Sequence, residues 1–283
     1  MVPFLSRGHV IENSHLNFKW EEKLWTLYHS IFKDAVYTIT DGVIFPDKYA
    51  STPFKVMIMN REPYDSQKVS YSLNQDGLAR QIKEEIRPFN SQTVLRTHIR
   101  QYLSLIHLLS EKTFNGVSKK EAINFVDQST EEDLIYYLSN TAYINVKKSN
   151  GVNVSEKSDL KAYAKKGIDI LKEQIRFCNP SIILGGNVCD GIIDNLFDWG
   201  ETLYNGKGHH ALKIYEILID GKSYPFIDMY HPSYFGKYKE NGEIKDMSEY
   251  FLELFKGIIS VENERPGYWS KYMNNKCFET SNL

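Results

Sequence analysis

Three polar residues follow short apolar runs, and their side chains could do chemistry together. Glu62 follows Val56-Met57-Ile58-Met59 by way of Asn60 and Arg61, Asn145 closes Ala142-Tyr143-Ile144, and His231 follows Phe226-Ile227-Asp228-Met229. A carboxylate can favour a cationic transition state or orient a water nucleophile. A carboxamide presents a donor and an acceptor side by side and can read a planar ligand edge. An imidazole can hydrogen-bond an oxygen that gains charge as a bond breaks. Taken singly, each has an ordinary explanation: a surface charge, a turn residue, a solvated loop histidine. Together, at the ends of successive strands, they point to a site.

The elements that must position them can be read from periodicity. Leu24, Leu27, Tyr28, Ile31, Phe32 and Ala35 recur at helical spacing near the start of the chain. Phe54 to Met59 is apolar without alternation, as in a strand covered on both faces. Residues 91 to 140 read as helical, with Val94, Leu95, Ile99, Leu103 and Ile106 on one stripe. Capping boxes at Ser118-x-x-Glu121 and Ser129-x-x-Glu132 open two further stretches. A strand over Ala142 to Val146 comes next. One helix then carries Leu160, Ala164, Ile168, Leu171 and Ile175 and ends before Asn179-Pro180. Ser181 to Leu184 reads as a strand stopped by Gly185-Gly186, and Phe226 to Met229 as another stopped by His231-Pro232. A last amphipathic helix carries Phe251, Leu254, Phe255 and Ile258. Alternating strands and helices imply an α/β fold with a mostly parallel sheet, whose ligands bind beyond the carboxyl ends of the strands. Those ends carry Asn60 to Tyr64, Asn145, Gly185 to Asn187 and His231 to Ser233.

Composition narrows the function classes. The 283 residues are 42% hydrophobic and 25% charged, enough for one sizeable core, and no repeat or linker divides them. No segment reads as membrane-spanning and Met1 to Asn13 lacks an apolar signal region, so a cytoplasmic protein without membrane partners is expected. Cys178, Cys189 and Cys277 are too few and scattered for a disulfide framework, a cysteine-rich metal site or an iron–sulfur cluster. The formal net charge of −2 means that any nucleic-acid surface must be local. Gly185-Gly186-Asn187 fits neither dinucleotide nor phosphate-loop motifs and reads as a tight turn. The loop Asn205 to His210, with adjacent His209 and His210, makes a poor metal site, and no Gly-x-Ser-x-Gly elbow is present.

The ordered segments resemble the uracil-DNA glycosylase superfamily. Asn60-Arg61-Glu62-Pro63-Tyr64-Asp65 resembles its water-activating motif Gly-Gln-Asp-Pro-Tyr-His, and Tyr71-Ser72 its Phe-Ser step. Ala142-Tyr143-Ile144-Asn145 resembles the strand ending in the base-reading Asn, and His231-Pro232-Ser233 matches the His-Pro-Ser loop. Order and approximate spacing agree from about residue 54 to 260. Glu62 stands for Asp, Arg61 for Gln, Asp65 for His and Tyr71 for Phe, which alters the pocket wall.

The resemblance implies a single domain over 1–283, a three-layer α/β/α sandwich around a mostly parallel four-stranded sheet. A helical insertion would occupy about 91 to 140. It also implies a monofunctional DNA glycosylase without metal or redox cofactor, whose partner is DNA carrying a damaged or modified base. Such an enzyme extrudes the base and hydrolyses its N-glycosidic bond. Glu62 and His231 would be catalytic, and Asn60, Arg61, Tyr64, Asp65, Tyr71 and Asn145 would surround the base. Lys147, Lys148, Ser233, Tyr234 and Phe235 would contact the DNA, the lysines through phosphates and the aromatics as a wedge. Uracil, a damaged base and a hypermodified base of phage DNA are all compatible substrates, for repair or for antiphage defence. The alternative is a glycosylase-like module that binds a base or nucleic acid without cutting, although pure binding requires neither Glu62 nor His231.

Overall fold

The computed structural model describes residues 15–33, 39–63, 71–72, 98–148, 156–207, 212–232, 234, 236–240 and 242–275. In chain order, the helices are α1 (His15–Ile31), α2 (Pro46–Ser51), α3 (Arg100–Glu111), α4 (Lys119–Gln128), α5 (Glu131–Ser139), α6 (Lys157–Lys166), α7 (Ile168–Cys178) and α8 (Tyr250–Glu264). The strands are β1 (Ile39–Thr40), β2 (Gly42–Val43), β3 (Val56–Asn60), β4 (Tyr71–Ser72), β5 (Thr141–Asn145) and β6 (Ile182–Gly186). They continue with β7 (Asp198–Asn205), β8 (Lys213–Ile219), β9 (Lys222–Met229), β10 (Lys237–Glu240) and β11 (Glu243–Asp246).

The fold is α/β, built on a seven-stranded mixed sheet in the order β2-β5-β3-β6-β9-β8-β7. The expectation of four strands therefore undercounts the sheet. β5, β3, β6 and β9 run parallel to one another; β2 pairs antiparallel with β5 on one side, and on the other β8 pairs antiparallel with β9 and β7 with β8. The missed strands pair at the margins: Lys213 to Ile219 alternates half-buried with buried positions and Asp198 to Asn205 is largely exposed or half-buried, unlike the continuous buried runs of the centre.

β3 is buried at all five positions, and alternation sends its side chains to opposite faces. Val56 and Ile58 join a core with α3, α4, α5 and α8, whereas Met57 and Met59 join one with α6 and α7. The segment read as a helical insertion thus packs into the same core as the sheet, with α3 buried on nearly every side. α1 lies outside α7, placing Leu24, Trp25 and Tyr28 against Ile170.

Three local expectations differ from the structure. The helix read from Leu160 to Ile175 breaks at Gly167, a weak helix former whose missing Cβ admits the Phe32 ring to 3.3 Å of where it would sit. The second capping box lies one residue later than expected. Thr130 Oγ1 accepts from Asp133 N while Asp133 Oδ2 accepts from Thr130 N, and the Ser129 hydroxyl donates instead to Val126 O. Gly185 and Gly186 end β6 rather than forming the turn; Asn187, left-handed at φ 57°, makes it. Ser118 caps α4 as expected, accepting from Glu121 N. Ala35, Val94, Leu95 and Cys277 lie outside the described residues, and Cys178 and Cys189 are buried thiols not joined in a disulfide.

Candidate active site

The register places one residue from each central strand in a row along the carboxyl edge. Asn60 of β3 pairs with Asn145 of β5, Met59 pairs with Gly185 so that Gly186 lies beside Asn60, and Gly186 pairs with Met229 of β9. Side chains of in-register neighbours emerge on the same face, so the row reads carboxamide, carboxamide, gap, thioether. Beneath it lies an apolar wall of Ile58, Leu184, Met229, Ile99 and Tyr102, with Pro232 opposite.

The gap is Gly186. A Cβ there would stand 2.7 Å from Asn60 Oδ1, 3.0 Å from Pro232 Cδ and 3.5 Å from His231 Cδ2. A glycine is therefore needed for Asn60 and the His231-Pro232 turn to approach each other. Gly185 serves the opposite face, where a Cβ would fall 2.2 Å from the Phe226 ring.

Asn145 is 1% exposed and held from behind. Asp41 Oδ2 accepts from its backbone N at 2.7 Å and from Nδ2 at 3.2 Å. A carboxylate only accepts, so it fixes which end of the Asn145 amide faces it. Asp41 Oδ1 takes Lys148 Nζ at 2.7 Å and Gln174 Nε2 at 2.8 Å, and Lys148 Nζ also donates to Asn145 O and Gln174 Oε1. Burial lowers the Lys148 pKa, and the Asp41 carboxylate opposes that shift. This closed network also anchors Tyr71. β1 pairs with β4 in the register Ile39 with Tyr71, and Ile39 N donates to Lys148 O.

The β3–β5 pairing runs on past the strands, with Val146 N bonded to Asn60 O and Lys147 N to Arg61 O. It carries Lys147 to Glu62, whose side chain is 4% exposed; Lys147 Nζ stands 3.3 Å from Glu62 Oε2 and also binds Asp159 of α6. Burial alone would lower the Lys147 pKa, but the bond to Asp159 and the Glu62 charge outweigh it and the value rises. Glu62 Oε1 is buried without a hydrogen-bond partner.

Arg61 Nε donates to Asn187 O at 2.7 Å, reaching across to the end of β6. It also lies close enough to act on His231. Burial chiefly, and then the Arg61 charge, lower the His231 pKa to about 4, so the imidazole is neutral near pH 7.

The structure thus gathers Asn60, Arg61, Glu62, Asn145 and His231 at one edge. It places Lys147 and Lys148 otherwise than expected: both are buried, 4% and 2% exposed, and saturated by Glu62, Asp159, Asp41 and Gln174. They brace the site and present no charge to a phosphate backbone. Tyr234 is 40% exposed and stacks on Tyr230 with ring centroids 4.8 Å apart. Tyr64, Asp65, Ser233 and Phe235, and the side chain of Tyr71, lie outside the described residues.

Sequence reasoning missed Asp41, Asp159 and Gln174. Asp41-Gly42 reads as a turn, and the other two sit on helices with no local sign of their partners. Among the described residues, no group of three or more His, Cys, Asp and Glu side chains is placed to hold a metal ion, and no helix is long and apolar enough to cross a membrane. Compared with protein-family models and with curated proteins, the chain matches none.

Proposed function

We propose that the chain is a monofunctional DNA glycosylase that extrudes a pyrimidine base and hydrolyses its N-glycosidic bond. One observation carries the reading. A buried carboxylate with one oxygen unpaired, Glu62, shares a strand edge with an imidazole held neutral, His231. These are the two groups that departure of an anionic base from a cationic sugar requires. The four parallel strands at the centre of the sheet, flanked by helices, also suit the uracil-DNA glycosylase-like architecture implied by the sequence motifs.

A base within a duplex is inaccessible, so it must first leave the stack. Asn145, held by Asp41, would read its edge, and Tyr234 would fill the vacated step. As the bond from C1′ to the base nitrogen breaks, its electron pair leaves with the base. The neutral His231 imidazole would donate an N–H to the base oxygen that gains this charge, while Glu62 would favour the oxocarbenium-like sugar. Glu62 Oε1 would accept a hydrogen bond from the water that adds to C1′; hydroxide ends on the sugar and the proton on the released base. Lys147, its pKa raised by Asp159 and Glu62, remains an ammonium and supplies no free amine for a Schiff base, which fits hydrolysis without strand cleavage.

The test is incubation with oligonucleotides carrying uracil, mismatched thymine and hydroxylated or glycosylated pyrimidines, single- and double-stranded, followed by detection of abasic sites. Glu62→Gln and His231→Ala should each reduce base release by about 100- to 1,000-fold with DNA binding retained, the usual scale for one electrostatic contact in the transition state. Near-normal turnover by either variant overturns the assignment. DNA binding without release of any base by the unaltered protein would favour a pure binding module.

A further inference from the structure

Glu62 and Lys147 form a buried ion pair at the sheet edge. The Lys147 ammonium stands 3.3 Å from Glu62 Oε2, with the two side chains 5% and 4% exposed. The Lys147 backbone is fixed by the β3–β5 pairing that runs past the strand ends, where its N–H donates to Arg61 O. Its side chain is fixed by α6. Asp159 and Tyr163 lie one turn apart on that helix and so share a face. Lys147 Nζ binds Asp159 Oδ2 and lies 5.7 Å from the centre of the Tyr163 ring. That ring is itself clamped: its hydroxyl is 2.6 Å from the Tyr28 hydroxyl, and Phe32 stacks on it with centroids 4.3 Å apart.

Two carboxylates thus share one ammonium, and solvent decides which of them feels it more. The Asp159 side chain is 52% exposed, and water screens its charge. Glu62 is enclosed, where the same attraction is several times stronger. The neighbouring cations have bonds of their own: Arg61 Nε donates to Asn187 O, and Lys148 is held by Asp41 and Gln174. A buried carboxylate deprived of its counter-charge favours the neutral acid, which could neither stabilise a cationic sugar nor take a hydrogen bond from water on the same terms.

Building on the glycosylase reading, we infer that Lys147 is a positioning residue for Glu62, held in place by Asp159 and Tyr163 of α6. It keeps the carboxylate charged and, by holding Oε2, fixes where Oε1 stands. A methionine of similar length would fill the same space and bring no charge, so charge and packing can be tested apart.

The experiment takes a base that the unaltered protein releases and measures single-turnover release against pH, together with DNA affinity. The proteins are the unaltered chain, Lys147→Met, Lys147→Arg and Asp159→Asn. Proton uptake at Glu62 is followed in parallel by carbon-13 NMR of glutamate-labelled protein, the signal being assigned by its loss in Glu62→Gln. In Lys147→Met, the acid limb of release and the Glu62 titration should move up together by about 1–3 pH units, the usual effect of one adjacent opposite charge, with DNA affinity retained. The step set by His231, at about 4, should not follow them. Lys147→Arg restores the charge and should return the limb most of the way. Asp159→Asn, at a half-exposed position, keeps the ammonium but loosens its hold, so release should fall with less movement of the limb.

A lysine that only packs would lower release or stability in Lys147→Met without moving the limb or the Glu62 titration. That result overturns the inference and leaves the glycosylase reading standing. Should Lys147→Met not fold, reduced release in Asp159→Asn with DNA affinity and melting temperature retained supports the inference, and unchanged release overturns it. If the unaltered protein releases no base, the glycosylase reading is overturned and the titration alone decides. Movement of the Glu62 signal in Lys147→Met then supports the hold of Lys147 on Glu62, and no movement overturns that as well.

Discussion

Two polar clusters lie within one strand spacing of each other and differ in a single respect. Behind the sheet edge, the bonds among Asp41, Lys148, Gln174 and the Asn145 backbone form a closed set, with the Lys148 ammonium donating to three different residues. In front, Asn60 has an unpaired amide and Glu62 an unpaired carboxylate oxygen. The saturated cluster is a support, since a completed buried network holds its members in one geometry. The unsaturated one carries a free-energy cost that only a ligand or solvent can offset. The difference separates the two clusters at this edge: the one behind is closed upon itself, and the one in front keeps polar atoms unpaired.

The largest test of this contrast breaks the support. Asp41→Asn or Lys148→Met leaves a buried charge without its partner and should cost about 3–5 kcal/mol in chemical denaturation. The double variant should recover part of that loss. Single variants within about 1 kcal/mol of the unaltered protein, on that same scale, would remove the network's supporting role.

Adjacent glycines sharpen the comparison next. Gly186→Ala puts a Cβ 2.7 Å from Asn60 Oδ1 and should lower base release about 100-fold through misplacement, with the melting temperature little changed. Gly185→Ala drives a Cβ into the Phe226 ring on the other face and should cost about 1–3 kcal/mol of stability instead. Equal effects of the two on stability and release would erase the distinction between the faces.

The smallest effect is in pH dependence. His231 titrates at about 4 when folded, below its ordinary value of 6.5, so between these values the unfolded chain binds a proton that the folded chain refuses. Its contribution to stability is present in full above about pH 6.5 and is lost as pH falls towards 4. Denaturation curves at pH 7 and pH 4.5 should therefore lie closer together in His231→Ala than in the unaltered protein.

The sequence alone determined the central strands and the identity of the edge. Short continuous apolar runs bounded by turn residues read as strands covered on both faces, and the polar residues that stop them, Asn60 to Glu62, Asn145 and His231, stand at their carboxyl ends by the rule of parallel sheets. Local chemistry also gave the Ser118 cap and the helices of the 100–139 region. Tertiary structure decided the rest. Lysines 147 and 148 read as exposed charges because nothing nearby in sequence pairs with them. Their partners come from a distant loop and two later helices, Asp41 104 or more positions away from Asn145 and Lys148, and Asp159 and Gln174 beyond them. The roles of Gly185 and Gly186 likewise depend on register, which sends one towards Phe226 and the other towards Asn60 and Pro232. Residue types and local periodicity specify which groups arrive at an edge. Which of them arrive already paired is fixed only when the chain brings remote residues together.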